Sequence, residues 1–214
     1  MSELDSTACQ EFEGLINHDV GEQPLQDFLE KHPEVLLRTF DHGAYFPTLF
    51  PKFRLADEFI PDFAIIGHRT SWIWNVDLIE IEPAVNERTL FNKKRQSAGR
   101  LRDAEGQVRD WQAWMEKYGE GFFAPKVLDQ LKKRKAWDER PEFYRLPEGT
   151  YSQAMTVFYR IIVGRRKDFD GWGDQYRAVK WKESGNRVEI VPWDRLLDKA
   201  NQLAAIQRHD VTPS

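Results

Sequence analysis

Apolar residues occur along this chain in two kinds of spacing: short continuous runs, and positions repeated every three or four residues. Two neighbouring runs, at residues 59–66 and 72–83, are bounded by proline, glycine and asparagine, and predict two adjacent strands joined by a tight connection. Later runs at 154–163 and 188–191 predict two further strands. The segment 39–58 is rich in phenylalanine, proline and glycine, and predicts an irregular connection.

Helical spacing is found on both sides of the predicted strand pair. Apolar positions at 25–29 predict an amphipathic helix that starts near Glu22, and a second short helix follows Pro33. A longer helix is predicted over residues 97–118. Its stripe comprises Arg100, Ala104, Gln107, Trp111, Trp114, Met115 and Tyr118.

The remaining segments complete a single predicted domain, because no internal repeat or low-complexity tract divides the chain. Residues 1–21 predict a short helical preface, and residues 22–206 the body of the domain. Within that body, residues 120–150 predict a short helix followed by an exposed connection, and 193–203 a final helix. Residues 207–214 are predicted to be a C-terminal tail.

The second predicted strand carries carboxylates at its end. Because side chains alternate along a strand, Glu80 and Glu82 share the face of Val76 and Leu78, whereas Asp77 lies on the opposite face. Both faces begin apolar, so the two carboxylates emerge where the earlier part of the strand is buried. Leaving them unpaired there would be costly, so a positive group must meet them.

Composition and charge limit the classes of protein that the chain can belong to. Its 214 residues are 41% hydrophobic and 13% aromatic, which excludes a disordered chain although 31% are charged. No apolar run approaches the roughly 18–20 residues that cross a bilayer, and the N-terminus does not resemble a signal peptide. We therefore expect a cytoplasmic protein with no membrane partner. The only cysteine, Cys9, can form no disulfide within one subunit.

The charge is unevenly distributed along the chain. Net charge is -4, yet residues 1–62 carry 13 acidic side chains against four basic ones, so the later part is net positive. A nucleic-acid partner would therefore meet the later part, where Arg165 and Arg166 follow a predicted strand. The alternative for these two arginines is a solvated strand end.

Asp62 on the first predicted strand and Glu80 on the second can hold a divalent metal. Mg²⁺ prefers oxygen ligands, usually one or two carboxylates with water and substrate phosphate. A metal held in this way can activate a water for attack on phosphorus. Glu82 could bind a second ion or hydrogen-bond the attacking water, and Gln107 could orient that water or Glu80.

Each of these residues also has a structural interpretation. Pro-Asp at a strand start and Glu-x-Glu on a half-exposed strand both occur for structural reasons. Glu22 is either a first-turn acid favoured by the helix dipole or a helix carboxylate that points into the metal site. Gln107 either bonds to neighbouring backbone or takes part in the site. Spacing alone leaves these alternatives open.

Six segments resemble, in order, the nuclease domain of Shedu anti-phage defence proteins, across about residues 20–205. The segments are EQPLQDFLEKHP from Glu22, PDF from Pro61, IEIEP from Ile79, QVRDW from Gln107, IVGRR from Ile162 and PWDRLL from Pro192. The PD and IEIEP segments are also similar to the PD-(D/E)XK nuclease pattern. The resemblance implies an α/β protein with a restriction-endonuclease-like mixed β-sheet core flanked by helices. It also implies metal-dependent DNA cleavage in bacterial immunity.

The resemblance assigns roles to residues that match the motifs. Asp62 and Glu80 become the carboxylates that bind Mg²⁺ or Mn²⁺, Glu22 a further helix carboxylate, and Gln107 the amide of the following helix. The implied substrate is double-stranded phage DNA, and the implied assembly is a homo-oligomer. The basic residues that we expect to contact DNA are Arg165, Arg166, Lys93, Lys94 and Arg100.

Glu82 departs from the nuclease pattern, which has a lysine at this place. A carboxylate cannot give the positive charge that this lysine provides to the nucleophile or to the developing phosphate charge. Arg100, the pair Lys93 and Lys94, or a second metal at Glu82 could replace it. The alternative function is a catalytically inactive nuclease-fold module that binds nucleic acid or a protein partner through residues 164–167.

Overall fold

The computed structural model describes residues 4–18, 20–41, 43–70, 73–84, 90–133 and 154–210 of the chain. Several predicted segments fall outside these ranges. They are residues 71–72, where the predicted tight connection meets the second predicted strand, residues 134–150 of the predicted exposed connection, and residues 211–214 of the predicted tail.

One mixed sheet forms the centre of the fold. Its strands are β1 (Tyr45–Pro51), β2 (Phe63–Thr70), β3 (Ile73–Ile81), β4 (Ala154–Ile162) and β5 (Val188–Val191). They lie side by side in sequence order, with β1, β2 and β3 antiparallel and β3, β4 and β5 parallel. The prediction of an α/β protein with a mixed sheet is confirmed.

Helices flank this sheet. They are α1 (Ser6–Asn17), α2 (Gln23–Lys31), α3 (Pro33–Thr39), α4 (Gly99–Lys132), α5 (Trp172–Glu183) and α6 (Trp193–Asp210). A short 3₁₀ helix, Arg166–Phe169, precedes α5. Over the described ranges of the chain, no helix has the length and apolar character needed to cross a membrane.

The two faces of β3 support two separate hydrophobic clusters, as the alternation of its side chains predicts. Val76 and Leu78 pack with Trp111 of α4 in the first cluster. Ile79 and Ile81 pack with the N-terminal helices and α6 in the second. The side chain of Glu80 therefore emerges on the same face of the sheet as α4.

Strand β1 corrects the prediction of an irregular connection over residues 39–58. Pro47 and Pro51 argued against a strand because proline cannot donate a ladder hydrogen bond. In the described sheet β1 occupies an edge, where missing donors are tolerated, and Phe50 is buried in the first cluster. Strand β2 begins at Phe63, so Pro61 and Asp62 lie just before it.

Helix α4 is longer than the predicted helix over residues 97–118. Residues 97–118 and 120–150 were predicted as separate elements, and Gly119, Gly121 and Pro125 have low helix propensity. Val127 and Leu131 are nevertheless buried in the same cluster as Trp111. This packing stabilises one continuous helix of 34 residues that includes the glycines. Tertiary burial outweighs the local propensity.

Helix α5 has no counterpart in the sequence prediction. It joins the parallel strands β4 and β5, which need a crossover connection of this kind. Gly173 is its buried residue, and Val179 is exposed, so the helix has no apolar stripe from which it could be recognised. The predicted final helix is confirmed from Trp193 and continues to Asp210.

Candidate active site

Lys52, Asp62 and Glu80 lie in one row across the ends of three strands. Phe63 pairs with Pro51 of β1 and with Ile79 of β3. Both pairings are antiparallel, so the next step in register places Asp62 beside Lys52 on one side and Glu80 on the other. The predicted juxtaposition of Asp62 and Glu80 follows from this register.

Asp62 is buried, and both of its carboxylate oxygens are hydrogen-bonded. The ammonium of Lys52 donates to Oδ1. The backbone N–H of Ile81 donates to Oδ2 over 2.9 Å. The carboxylate is therefore held at the end of β3 by one main-chain donor and one side-chain cation.

Glu80 is buried beside other acidic side chains. Burial, followed by repulsion from Asp62 and Glu82, raises its pKa from the ordinary 4.5 to about 9. A hydrogen bond with Gln107 lowers the pKa in part, and the more distant Glu22 raises it further. Burial and repulsion therefore favour the protonated form of Glu80 at neutral pH when no cation is bound.

The main chain of Glu82 is fixed on two sides. Its N–H donates to the carbonyl of Ile162 over 2.8 Å, and its carbonyl accepts a 2.7 Å hydrogen bond from the indole of Trp193. Burial and then repulsion from Glu22 raise the pKa of its carboxyl to about 7, although Arg100 lowers it. The residue that departs from the nuclease pattern is thus held rigidly in the site.

Arg100 links two of the predicted carboxylates. Its Nη1 lies 3.3 Å from Glu22 Oε1 and 3.5 Å from Glu82 Oε2. Glu22 is the N-cap residue of α2 but makes no side-chain cap hydrogen bond. The structure therefore brings Glu22 to the acidic group, and Arg100 at the start of α4 supplies a positive charge between them.

Gln107 is exposed although it lies on the predicted stripe of α4, one turn before Trp111. The sequence placed it within an aromatic stripe, but its side chain is exposed whereas Trp111 is buried. The amide nevertheless reaches Glu80, with which it forms a hydrogen bond. Of its two interpretations, the structure favours the contact with the site over a bond to neighbouring backbone.

The available donors fit a small metal site. In the described ranges, no group of three or more His, Cys, Asp or Glu side chains is arranged to hold a metal. Mg²⁺ commonly uses one or two carboxylates, with water and substrate phosphate as the other ligands. Asp62 and Glu80 match that smaller set, and a divalent cation would offset the desolvation cost and the repulsion that raise the pKa of Glu80.

Arg165 is engaged in contacts within the protein. Its guanidinium makes two parallel hydrogen bonds to Asp194, of 3.0 and 2.9 Å, and a third to the carbonyl of Ile16. Burial would raise the pKa of Asp194, but hydrogen bonds from Arg165 and the Arg166 N–H hold it below its ordinary value. These hydrogen bonds connect the segment after β4 to α1 and α6, so Arg165 has a structural role.

The other predicted DNA-contacting residues lie on the surface. Arg166 is exposed and pairs with Asp198 of α6. Lys93 and Lys94 are exposed in the turn that precedes α4. Lys93 and Lys94 are therefore accessible to a phosphate backbone. DNA binding by Arg166, Lys93 and Lys94 stays a prediction.

Lys52 was not predicted from the sequence as a residue of the site. It lies ten residues before Asp62 in a segment that the sequence indicated to be irregular. Its contact with Asp62 depends on the β1–β2 pairing, and a correct prediction of β1 would have been the signal for it. The structure thus adds one cation to the predicted set.

Residues 19–197 match the family model of the C-terminal region of Shedu protein SduA. Among curated proteins, no match to the chain is found. The matched range includes β1 to β5, the three carboxylates at the strand ends, and Glu22 with Arg100. Because the match covers most of the 214 residues, the chain belongs to the Shedu family.

Proposed function

We propose that the protein is a Mg²⁺- or Mn²⁺-dependent DNA endonuclease of anti-phage defence, with a restriction-endonuclease-like PD-(D/E)XK core. The observation that carries the proposal is the juxtaposition of the buried carboxylates Asp62 and Glu80 at the ends of adjacent strands. Membership of the Shedu family supports the role in defence. A carboxylate pair of this kind can hold a divalent metal at a scissile phosphate.

Asp62 and Glu80 are the residues that would hold the ion. When bound, the ion supplies Lewis-acid stabilisation of phosphate charge and an activated water. The Ile81 N–H holds Asp62 in place, and the Gln107 amide orients Glu80. Glu82, paired with Arg100, presents a carboxylate that can accept a hydrogen bond from a water in the site.

Exposed cations at and before the start of α4 support a nucleic-acid substrate. Arg100 carries charge at the start of α4, and Lys93 and Lys94 precede it in an exposed turn. Lysine and arginine side chains in such positions bind the phosphate backbone without regard to sequence. Double-stranded phage DNA is the proposed substrate, and the resemblance to Shedu nucleases supports a homo-oligomeric assembly.

The proposal is tested by incubating the purified protein with linear and supercoiled DNA in Mg²⁺, in Mn²⁺ and in a chelator. We expect cleavage in the presence of either metal and none in the chelator. Asp62→Asn and Glu80→Gln should each abolish cutting. Asp103→Asn, which changes an exposed carboxylate of α4, is the matched control and should cut as the unaltered protein does.

The second candidate function is an inactive nuclease-fold module that binds nucleic acid. The observation that favours it is Glu82, where the nuclease pattern has lysine. Binding of DNA that is sensitive to salt but indifferent to metal, with no cutting under any condition, would support this candidate. It would overturn the proposed nuclease activity.

A further inference from the structure

We propose that Lys52 is the displaceable cation of this site. It neutralises Asp62 while no metal is bound, and it turns to the substrate phosphate when a metal takes its place. The inference rests on the proposed nuclease function. Lys52, directly after β1, would then provide the positive charge of the lysine that the nuclease pattern has at the position of Glu82.

Backbone geometry fixes Lys52 beside Asp62. The N–H of Lys52 donates a 2.7 Å hydrogen bond to the carbonyl of Asp62. Its φ angle of 46° lies in the left-handed region, which a lysine rarely adopts. The same residue therefore has an unusual backbone conformation and a side chain that binds Asp62. The position of its main chain directs the ammonium to this carboxylate.

The two oxygens of Asp62 are held in different ways. Oδ2 accepts from the backbone of Ile81, a donor that cannot move away while β3 is intact. Oδ1 accepts from Lys52, a donor on a flexible four-carbon side chain. An arriving metal can therefore replace Lys52 at Oδ1 while the Ile81 bond keeps the carboxylate in position.

Exposure of the two side chains is consistent with this exchange. The Lys52 side chain is 51% exposed, whereas that of Asp62 is 9% exposed. Lys52 therefore approaches the carboxylate from the solvent side, which is the side from which a metal and a DNA phosphate must arrive. After displacement its ammonium would be available on this side to a substrate phosphate, which lysine binds as a point charge.

The other cation of the site is less suited to this role. Arg100 lies between Glu22 and Glu82 and interacts with both carboxylates. A move to the phosphate would leave two acidic side chains without their shared cation. Among the ion pairs of the described residues, Lys52 has one carboxylate partner, Asp62. A bound metal would replace the charge of Lys52 at Asp62.

The test measures Mn²⁺ binding by calorimetry to metal-free protein at one mildly alkaline pH. Removal of a unit charge next to the ion should make Lys52→Met bind Mn²⁺ about tenfold more tightly than the unaltered protein. Lys52→Arg keeps the charge and should bind as the unaltered protein does. Lys31→Met is the matched control, because Lys31 is also half exposed, at 54%, and paired with a carboxylate.

A second measurement separates this role from a purely structural one. In DNA cleavage at saturating Mn²⁺, Lys52→Met should have a maximal rate lower by about 100-fold, as expected for loss of a group that stabilises charge in the transition state. The Mn²⁺ concentration needed for half-maximal rate should fall at the same time. A side chain that only supports the fold would weaken metal binding and rate together.

Two outcomes would overturn the inference. One is a Mn²⁺ affinity in Lys52→Met equal to or weaker than that of the unaltered protein. The other is an unchanged maximal rate. If the unaltered protein binds Mn²⁺ and cuts DNA but Lys52→Met behaves identically, the inference about Lys52 fails alone. If the unaltered protein binds no Mn²⁺, the proposed function fails as well.

Discussion

The indole N–H of Trp193 donates a 2.7 Å hydrogen bond to the backbone carbonyl of Glu82. Trp193 is fully buried at the start of α6, and Glu82 follows the end of β3. A residue 111 positions further along the chain therefore fixes the main chain of the acidic site. Sequence spacing could not have indicated this dependence.

Trp193→Phe should test the bond between α6 and the site. The substitution keeps an aromatic ring but leaves the buried Glu82 carbonyl without its donor, which should lower the free energy of unfolding by about 1–3 kcal/mol. Metal affinity should fall because Glu82 and Glu80 lose a fixed position. Denaturant unfolding and calorimetry measure the two effects, and a variant with unaltered values for both would show that the bond has no influence.

Glu80→Gln should change how stability depends on pH in metal-free protein. The pKa of Glu80 is ordinary in the unfolded chain and about 9 in the folded one. Between those values the folded state binds a proton that the unfolded state has released, so stability falls as pH rises. The variant should lose most of this fall and should unfold at a higher temperature than the unaltered protein near pH 9.

Thermal unfolding across a pH series in a chelator measures this effect. Glu13→Gln on the exposed side of α1 is the control and should keep the original slope. A smaller slope should remain in Glu80→Gln, because the pKa of Glu82 is also raised, to about 7. Identical slopes in Glu80→Gln and the unaltered protein would refute the electrostatic description of the site.

Arg160→Met should be strongly destabilising. The Arg160 side chain is 0% exposed and donates hydrogen bonds to Asp77 and Glu189 over 2.7 and 2.6 Å. Its removal withdraws a cation from the buried Asp77, which should cost about 3–5 kcal/mol. The double variant Arg160→Met, Asp77→Leu should recover part of that loss, because no buried carboxylate is then left unpaired at position 77, and Glu189 keeps its ion pair with Arg195.

Arg166→Met provides the comparison for Arg160→Met in denaturant unfolding. Arg166 pairs with Asp198, and both side chains are more than half exposed. Solvent screens such a pair, so its loss should cost between about 0 and 1 kcal/mol. Equal losses in the two arginine variants would contradict the distinction between a buried network and a surface pair.

Arg165→Gln and the double change Lys93→Gln, Lys94→Gln should have opposite effects on stability and DNA binding. Arg165 is bonded to Asp194, so its loss should lower stability and leave the salt dependence of DNA binding unchanged. Replacement of the two exposed lysines should leave stability unchanged. The slope of log affinity against log salt should decrease by about 1 for each phosphate that the variant no longer neutralises. A slope that changes only in Arg165→Gln would contradict this expectation and support a DNA contact by Arg165.

Alternation along β3 made the sheet end predictable from the sequence. Val76, Leu78 and Glu80 had to share a face, and a neighbouring strand beginning near Asp62 had to bring a second carboxylate to it. These are short-range consequences of strand geometry, and the structure agrees with them.

The remaining contacts depend on how distant segments pack. Lys52 was missed because Pro47 and Pro51 hid an edge strand, and the pairing of Arg165 with Asp194 was not foreseen because the two residues are 29 positions apart. The helical stripe placed Gln107 near Trp111, but its contact with Glu80 depends on how α4 packs against β3. Long-range pairing decides such cases, and a single sequence does not encode it in a readable period.

Diffraction from crystals grown with Mn²⁺, recorded at the manganese absorption edge, tests the proposed metal site most directly. We predict one anomalous peak from a Mn²⁺ ion that lies about 2.1 Å from Asp62 Oδ1 and from a Glu80 carboxylate oxygen. Lys52 should be displaced from Asp62. Saturating Mn²⁺ with no peak at these carboxylates, and Lys52 still bonded to Asp62, would contradict it.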